Sequence, residues 1–391
     1  MNKTIFNPIP CGQTLPLNNI HAVSVSMPNL QDVIDYEEQT PEILEKITTA
    51  YPRFIIHPYL KLLANYLKEK YEVCDNYEII LLSSQKAVKA VSCRYFIHNK
   101  FEFDEPFGVI KVLKGRQYQK VLKFIQHLGY NLSSRLAQDY LYKVGVISKL
   151  HEEELENESK AKEILISSLS KAYKQPEKNI CLNPSGMNAM YCVLKGIKNI
   201  QARNGRTVLV QLGWLYLDTM NIVNHYFEES KIFYDITKLD LLEEFLKKDG
   251  LSVSAIVTEI PTNPLVQTVD LEKLKTLCDT YNIPLVIDST FATPYNLDLN
   301  PYADIYVESL TKFACGNADV LMGAVILNQN SKISHISYEF FKHADEPYIK
   351  DIQRIAFQIK DYEKRVKKIS QNTKQLASYL QNAPFIDKIF Y

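Results

Sequence analysis

From Ile180 onward the chain alternates short apolar runs with helical stretches, and that alternation constrains the fold more than any other feature. Strands are predicted at Val208–Leu212, Lys231–Ile236, Ser254–Ile260 and Pro284–Asp288. Helices are predicted between them, at Asn188–Ile197, Thr219–His225, Leu239–Lys248 and Leu271–Tyr281. Two further apolar runs, Asp304–Val307 and Val320–Leu327, flank Lys312. Strands separated by helices of this length build a mostly parallel sheet covered by helices on both faces. In such a sheet a ligand sits beyond the carboxyl ends of the strands. Ser185-Gly186-Met187, Glu259 to Pro264, Asp288 to Thr293 and Ser309 to Lys312 all fall at those ends or at helix starts, so their polar groups converge on one edge.

The converging residue types suggest a chemistry. Lys312, taken alone, would be a solvated lysine at a strand end, as most lysines are. In a pocket its amine would lose pKa and become a nucleophile able to form a Schiff base at neutral pH. Ser185-Gly186-Met187 opens a helix, whose N–H groups and positive dipole end suit an anion. Ser309 and Thr311 can add hydroxyl donors. Tyr51 and Arg53, two positions apart on an extended, proline-restrained stretch, project to one side as an anion clamp and could serve a second subunit; a surface arginine packed on a tyrosine is the plainer alternative. Asp288 ends an apolar strand, where a carboxylate calls for a cationic partner. A phosphate seat, a buried carboxylate and a pocket lysine are together what pyridoxal 5′-phosphate (PLP) requires.

The rest of the chain narrows the setting. It has 391 residues, room for two or three domains, and a formal net charge of zero, which gives no sign of a nucleic-acid surface. The seven cysteines show no C-x-x-C spacing, so a disulfide framework and a zinc site are not expected and a reducing, cytoplasmic setting is. No apolar run reaches membrane length, and Met1-Asn2-Lys3 leads into prolines, not a signal peptide. Residues 1–58 read as an arm, 59–150 as an inserted α/β subdomain with strands near 78–82 and 107–113, 151–345 as the ligand-binding large domain, and 346–391 as a long helix from Pro347 to Gln381 followed by the start of a further domain. The acidic run Glu152 to Glu158 reads as a solvated helix face. Residues 331–343 read as a helix and 384–391 as a strand without a partner, as if the chain were cut short.

Several of these segments carry a resemblance. Ile260-Pro261-Thr262-Asn263-Pro264-Leu265, Val286-Ile287-Asp288-Ser289-Thr290-Phe291-Ala292-Thr293-Pro294-Tyr295, and Ser309-Leu310-Thr311-Lys312 with Gly316-Asn317-Ala318-Asp319-Val320 resemble the Cys/Met-metabolism family of PLP-dependent enzymes. The likeness runs from about Ile180 to the end, and Tyr51-Pro52-Arg53 is similar to the family's tyrosine-x-arginine segment. His21 to Pro28, Tyr36-Glu37-Glu38, and Ser133-Ser134-Arg135-Leu136-Ala137 in the insert resemble the fungal-type cystathionine γ-synthases in particular.

The resemblance implies fold type I, the aspartate-aminotransferase-like α/β fold, in a homo-oligomer where Tyr51 and Arg53 reach a neighbouring subunit's cofactor phosphate. It implies that Lys312 holds PLP and shuttles protons, that Asp288 pairs the pyridinium nitrogen, that Ser185, Gly186, Met187, Ser309 and Thr311 bind phosphate, and that Asn263 contacts the cofactor's phenolic oxygen or the substrate carboxylate. The implied reaction is γ-replacement, in which cysteine displaces the acyl group of an O-acylhomoserine to give cystathionine. A lyase or a sulfhydrylase of the same family is the alternative, and a non-catalytic interaction or regulatory subunit is a third reading. Three departures stand out. Leu212 occupies the place of the tyrosine that stacks on the ring, where Trp214 or Tyr216 could substitute. Asp288-Ser289-Thr290 replaces Asp-Asn-Thr. The small C-terminal domain, which supplies an arginine for the substrate carboxylate, is nearly absent.

Overall fold

The computed structural model describes residues 8–51, 55–97, 103–333 and 336–389. In the arm, β1 (Thr14–Leu15) pairs antiparallel with β2 (Ser24–Val25), followed by α1 (Leu30–Glu38) and α2 (Pro41–Leu44). Next come α3 (Pro58–Lys70), β3 (Tyr77–Leu82), α4 (Gln85–Tyr95), β4 (Gly108–Leu113), α5 (Arg116–Leu128) and α6 (Ser134–Lys143), with β3 and β4 forming an antiparallel pair. The main sheet contains β5 (Ile180–Asn183), β6 (Val208–Leu212), β7 (Glu229–Phe233), β8 (Val253–Glu259), β9 (Leu285–Asp288), β10 (Ile305–Ser309) and β11 (Gly323–Leu327). Its helices are α7 (Glu158–Tyr173), α8 (Gly186–Gln201), α9 (Leu217–Tyr226), α10 (Asp240–Asp249), α11 (Leu271–Thr280), α12 (Thr293–Asn296), α13 (Ser337–Phe341), α14 (Ile349–Gln358) and α15 (Tyr362–Gln381).

The seven strands lie in the order β5-β11-β10-β9-β8-β6-β7. All neighbours run parallel except β11, which is antiparallel to both β10 and β5. The sheet is therefore mostly parallel and flanked by helices, as its alternation predicts. Every residue of β6, β8 and β11 is buried, which is why these strands read as continuous apolar runs and not as alternating ones. On one face α7, α10, α11, α14 and α15 cover the sheet through residues such as Leu165, Leu242, Leu274, Ile355 and Val366. On the other, α8 and α9 pack on it. Parallel running puts the ends of β5, β8, β9 and β10 on one edge, so Asn183, Glu259, Asp288 and Ser309 lie along it.

The segment between arm and sheet packs two ways. From the β3–β4 pair, Ile80, Leu82, Ile110 and Val112 share a cluster with α8 and the main sheet. Ile79, Leu81 and Val109, on the other face, build a cluster of their own with Leu63 and Leu67 of α3 and Leu141 of α6. Period-two alternation thus splits one short sheet between two cores.

A buried ionic network ties these parts together. Asp319 is fully buried and accepts from Arg354 Nη2 at 2.7 Å and Nε at 3.0 Å, from Gln358 at 2.8 Å, and from Asn19 of the arm at 2.9 Å. Arg135 of α6 donates twice to Glu153, at 2.7 Å each, and also to Asp351 at 3.1 Å and to the Asp319 carbonyl at 2.9 Å. The carboxyl of Asp319 is held below its ordinary range: burial alone would raise it, and Arg354, Arg135 and Gln358 overcome that. Asp351 is pushed up by burial in spite of Arg135.

Four expectations are corrected here. The acidic run is not a solvated helix face: α7 starts only at Glu158, and Glu153 is a buried partner of Arg135 with its side chain 8% exposed. The long helix breaks into α14 and α15 at a tight turn over Ile359–Asp361. There the Tyr362 N–H turns to Ile359 O, and Arg365 Nη2 draws on Gln358 O at 3.2 Å, a side-chain insertion that interrupts the helical ladder. The helix near 331–343 shrinks to Ser337–Phe341, and the described residues after Pro384 form no strand.

Removing one member of a buried pair strands the other charge. Arg354→Met should therefore cost about 3–5 kcal/mol in urea unfolding at neutral pH. Lys174→Ala, which breaks the exposed pair with Asp298, should cost less than about 1 kcal/mol. Equal losses would show that the Asp319 network contributes nothing special.

Candidate active site

The edge built by the strand ends holds most of the expected residues. Thr290 joins two of them: its N–H donates to Asp288 Oδ1 at 2.9 Å, and its hydroxyl accepts from the Ser309 N–H at 2.8 Å. Ser309 ends β10, and its hydroxyl is buried without a hydrogen-bond partner. It sits against Gly186, where an added Cβ would come within 2.8 Å of Ser309 Cβ and 3.0 Å of its Oγ. The first-turn N–H groups of Gly186 and Met187 have no acceptor within their own helix. The result is a narrow cradle with one orphaned hydroxyl and a helix N-terminus.

Lys312 follows in a short turn, its N–H bonded to Ser309 O at 3.1 Å. Arg365 of α15 braces that turn by donating to Phe313 O at 2.9 Å and Ala314 O at 3.0 Å. Lys312 is exposed, so the expectation of an enclosed lysine is corrected: the elements of one chain leave its outer side open. Crowding by surrounding protein still lowers the amine from its ordinary value, and Asp288 acts in the opposite direction. The Lys312 ammonium lies 4.6 Å from the centre of the Tyr51 ring. Tyr51 thus meets Lys312 of its own chain, where the resemblance implies a neighbouring subunit's site. Arg53 lies outside the described residues.

Other expected donors are committed elsewhere. Ser185 Oγ caps α8 by accepting from the Asn188 N–H at 3.1 Å, and it donates to Gly129 O at 3.2 Å. Thr311 Oγ1 is buried and exchanges bonds with Met322, accepting from its N–H at 3.0 Å and donating to its carbonyl at 3.3 Å. Asn263 lies at the same edge, its N–H 3.3 Å from Glu259 Oε2. Leu212 is buried in the core. The Trp214 ring packs 5.7 Å from Tyr234 and is 44% exposed, while Tyr216 packs partly buried beside α8.

Two buried carboxyls have no assigned role in the sequence reading. Glu259 ends β8 in register with Asp288 on the neighbouring strand, so both share one face of the sheet. Its oxygens accept from the Tyr216 N–H at 2.5 Å and the Asn263 N–H at 3.3 Å, which draws the two flanking loops together. Burial first and Asp288 second push Glu259 up to about 8. Asp288 is raised by burial, against Thr290 and Lys312, which lower it. Glu308 is 1% exposed and lies on the opposite face, where it accepts from Tyr173 at 2.5 Å and Tyr362 at 2.6 Å. Tyr173 also meets Ser289 Oγ at 2.7 Å. The signal for both was a single acidic residue at or next to the carboxyl end of a buried strand.

The family model for Cys/Met metabolism PLP-dependent enzymes matches residues 160–391. The chain belongs to this family of PLP-dependent enzymes, whose fold its mostly parallel sheet follows. The L-2-amino-4-chloropent-4-enoate dechlorinase/desaturase of Streptantibioticus cattleyicolor is 32% identical, over 93% of this chain and 73% of that protein. The cystathionine gamma-synthase of Saccharomyces cerevisiae is 24% identical, over 97% of this chain and 82% of that protein. Among solved structures, cystathionine gamma synthase from Xanthomonas oryzae pv. oryzae aligns with a TM-score of 0.49 and 19% identity, over 58% of this chain and 57% of the solved one.

The residues present fit the family's cofactor. The orphaned Ser309 hydroxyl beside Gly186 and the N-terminus of α8 suit a phosphate, and Asp288 and Lys312 stand on the same edge.

Glu308 gives the site a pH signature. Burial raises it from 4.5 to about 7, although both tyrosines lower it. The folded protein then keeps a proton that the unfolded chain has lost, so this contribution to stability is full below pH 4.5 and is lost as pH rises through 7. Glu308→Gln should flatten that part of the stability curve and, at pH 8, exceed the parent by on the order of 3 kcal/mol. An unchanged slope in denaturant unfolding across this range would overturn the assignment.

Proposed function

We propose that this chain catalyses γ-replacement on an O-acylhomoserine, with cysteine entering to give cystathionine. The convergence of Lys312, Asp288 and the orphaned Ser309 hydroxyl on one sheet edge carries the cofactor part of this reading. Likeness to the cystathionine gamma-synthase of yeast supports the substrate part. Small amino-acid substrates and assembly into homo-oligomers belong to the same proposal, as does a cytoplasmic setting; among the described residues no helix is long and apolar enough to cross a membrane.

Ser309, the amides of Gly186 and Met187, Ser185 as the cap of their helix, and Thr311 as the brace of the lysine turn would hold the phosphate. Asp288 would face the ring nitrogen, Asn263 the phenolic oxygen or substrate carboxylate, and Tyr51 with Arg53 the phosphate. PLP, when bound, supplies a ring that takes up the electron pair freed at the substrate's α-carbon. The remaining work falls to the chain. Loss of a group from Cγ needs electron density at Cβ, so protons must leave Cα and then Cβ. Lys312 Nζ, lowered from its ordinary value by crowding, would be the base that moves them. Asp288, ionised beside a cationic ring, would keep that ring protonated. Glu259 positions the Tyr216 and Asn263 loops through their backbone N–H groups.

A second reading rests on the dechlorinase/desaturase relative. The name places chlorine on carbon 4 of an α-amino acid, again at Cγ. Loss of a γ leaving group is thus common to both readings, and they differ in whether a thiol then adds. A lyase, a sulfhydrylase or a non-catalytic subunit would follow from other outcomes of the same assay.

Purified protein with added PLP should show a visible absorbance band that borohydride bleaches, and Lys312→Ala should abolish it. Ser309→Ala should keep the band and weaken PLP binding roughly tenfold, the effect of one charge-assisted bond of about 1.4 kcal/mol. Chromatography of O-acylhomoserine and cysteine mixtures should then show cystathionine. An oxo-acid without cystathionine would favour elimination, and a protein that never acquires the band would refute the cofactor reading.

A further inference from the structure

We infer that Glu308 is a positioning residue for the cofactor: it takes up and releases a proton behind the Asp288 strand, and its ionised form strengthens the hold of the site on a protonated ring nitrogen. This rests on the PLP reading above and goes beyond it, because it makes that hold depend on pH through a residue that does not touch the cofactor.

A row of hydroxyls carries the inference. Glu308 is 1% exposed. Tyr362 OH stands 2.6 Å from one of its carboxyl oxygens and Tyr173 OH 2.5 Å from the other. Tyr173 OH also lies 2.7 Å from Ser289 Oγ, and Ser289 Oγ lies 3.3 Å from Val307 O. Ser289 follows Asp288 directly in the chain, and Val307 pairs with Asp288 in register across the sheet. The row therefore runs from Glu308 to the backbone that carries Asp288.

Each hydroxyl brings one hydrogen. With Glu308 ionised, Tyr362 and Tyr173 both donate to it, and Ser289 donates to Tyr173 or to Val307 O. With Glu308 protonated, its own O–H donates to Tyr173, Tyr173 turns to Ser289, and Ser289 donates to Val307 O. Both charge states place every hydrogen without moving a heavy atom.

The groups facing the carboxyl are Tyr173 of α7, Tyr362 of α15, Tyr295 of α12 and, across the sheet, Asp288 of β9. Tyr295 stands edge-on to Tyr362 at 4.9 Å. None of the four is cationic. Burial first and Glu308 second lift Tyr173 and Tyr362 far above the ordinary tyrosine value, so both keep their protons and the carboxyl is the group that titrates. Burial raises Glu308 to about 7 against the two tyrosines, and the charge of Asp288 adds to the rise.

A cation beside Asp288 acts in the other direction. A protonated ring nitrogen offsets the Asp288 charge and so favours ionised Glu308. The coupling is reciprocal: ionised Glu308 adds negative charge behind Asp288 and favours the protonated ring. PLP should therefore bind more tightly as pH rises through about 7, with loss of part of the Glu308 proton.

PLP titrations through the visible band, on the parent and on Glu308→Gln between pH 5.5 and 8, test this. Glutamine keeps a donor and an acceptor and stays neutral. The parent should bind about tenfold more tightly than the variant at pH 8, and within about twofold of it at pH 5.5. Calorimetry in buffers of different ionisation enthalpy should show about half a proton more released by the parent near pH 6.5. Glu259 and Lys312 also respond to Asp288, but both proteins contain them and their share cancels in the ratio. If the glutamine variant misfolds, Tyr173→Phe serves instead. It removes a donor that lowers Glu308, so the rise in affinity should move to higher pH. A constant affinity ratio with equal proton release, or a rise that Tyr173→Phe leaves in place, would overturn the inference while the cofactor reading stands. A parent without the band refutes the cofactor reading, and the inference falls with it.

Discussion

Everything near Lys312 depends on a carboxylate that has no access to water. Asp319 is fully buried, and a charge in that position is tolerable only when several donors reach it. Those donors come from far apart in the chain: Asn19 from the arm, and Arg354 and Gln358 from α14. Arg135, from the inserted segment, reaches the carbonyl of the same residue and carries Glu153 and Asp351 with it. The network can be satisfied only when arm, insert, lysine loop and α14 arrive together. Its energetic role is therefore one of specification: it selects one docking of these parts, while the apolar clusters supply the bulk of the driving force.

The same loop carries the chemistry. Asp319 lies seven residues after Lys312, and Arg365 fixes the backbone between them. On the strand side, Thr290 connects Asp288 to Ser309 through one N–H and one hydroxyl. Behind them stand two protonatable carboxyls, Glu259 on the Asp288 face and Glu308 on the opposite face, both pushed up by burial. The reactive edge is thus rigid beneath and open above, where Lys312 meets solvent and Tyr51.

Much of this was legible from residues alone. The strands of the main sheet are buried on both faces, so their composition is set by burial and they show as apolar runs. Ser185-Gly186-Met187, Asp288, Ser309 and Lys312 were visible because each interrupts such a run at its carboxyl end. Errors arose where a local pattern has two physical outcomes. Acidic residues in sequence look like a solvated face, yet Glu153 is buried because Arg135 is there to meet it. The periodicity of 347–381 is that of one helix, but Arg365 takes the Gln358 carbonyl and breaks it. Hydroxyls of the right type near the site were read as equivalent. Ser185 and Thr311 are already committed to Asn188, Gly129 and Met322, and Ser309 alone of the three is left without a partner.

By itself the sequence determined a mostly parallel α/β sheet, the edge where polar residues collect, and the residue types that a PLP-dependent family needs there. Periodicity and composition are properties of neighbouring residues, and these features depend on nothing more. The tertiary structure decided which hydroxyl is free, how far Lys312 is open, and which carboxyls behind the site are raised by burial. Each of those depends on contacts between segments dozens to hundreds of residues apart, where packing, burial and pairing of charge are settled jointly and no single stretch holds the information.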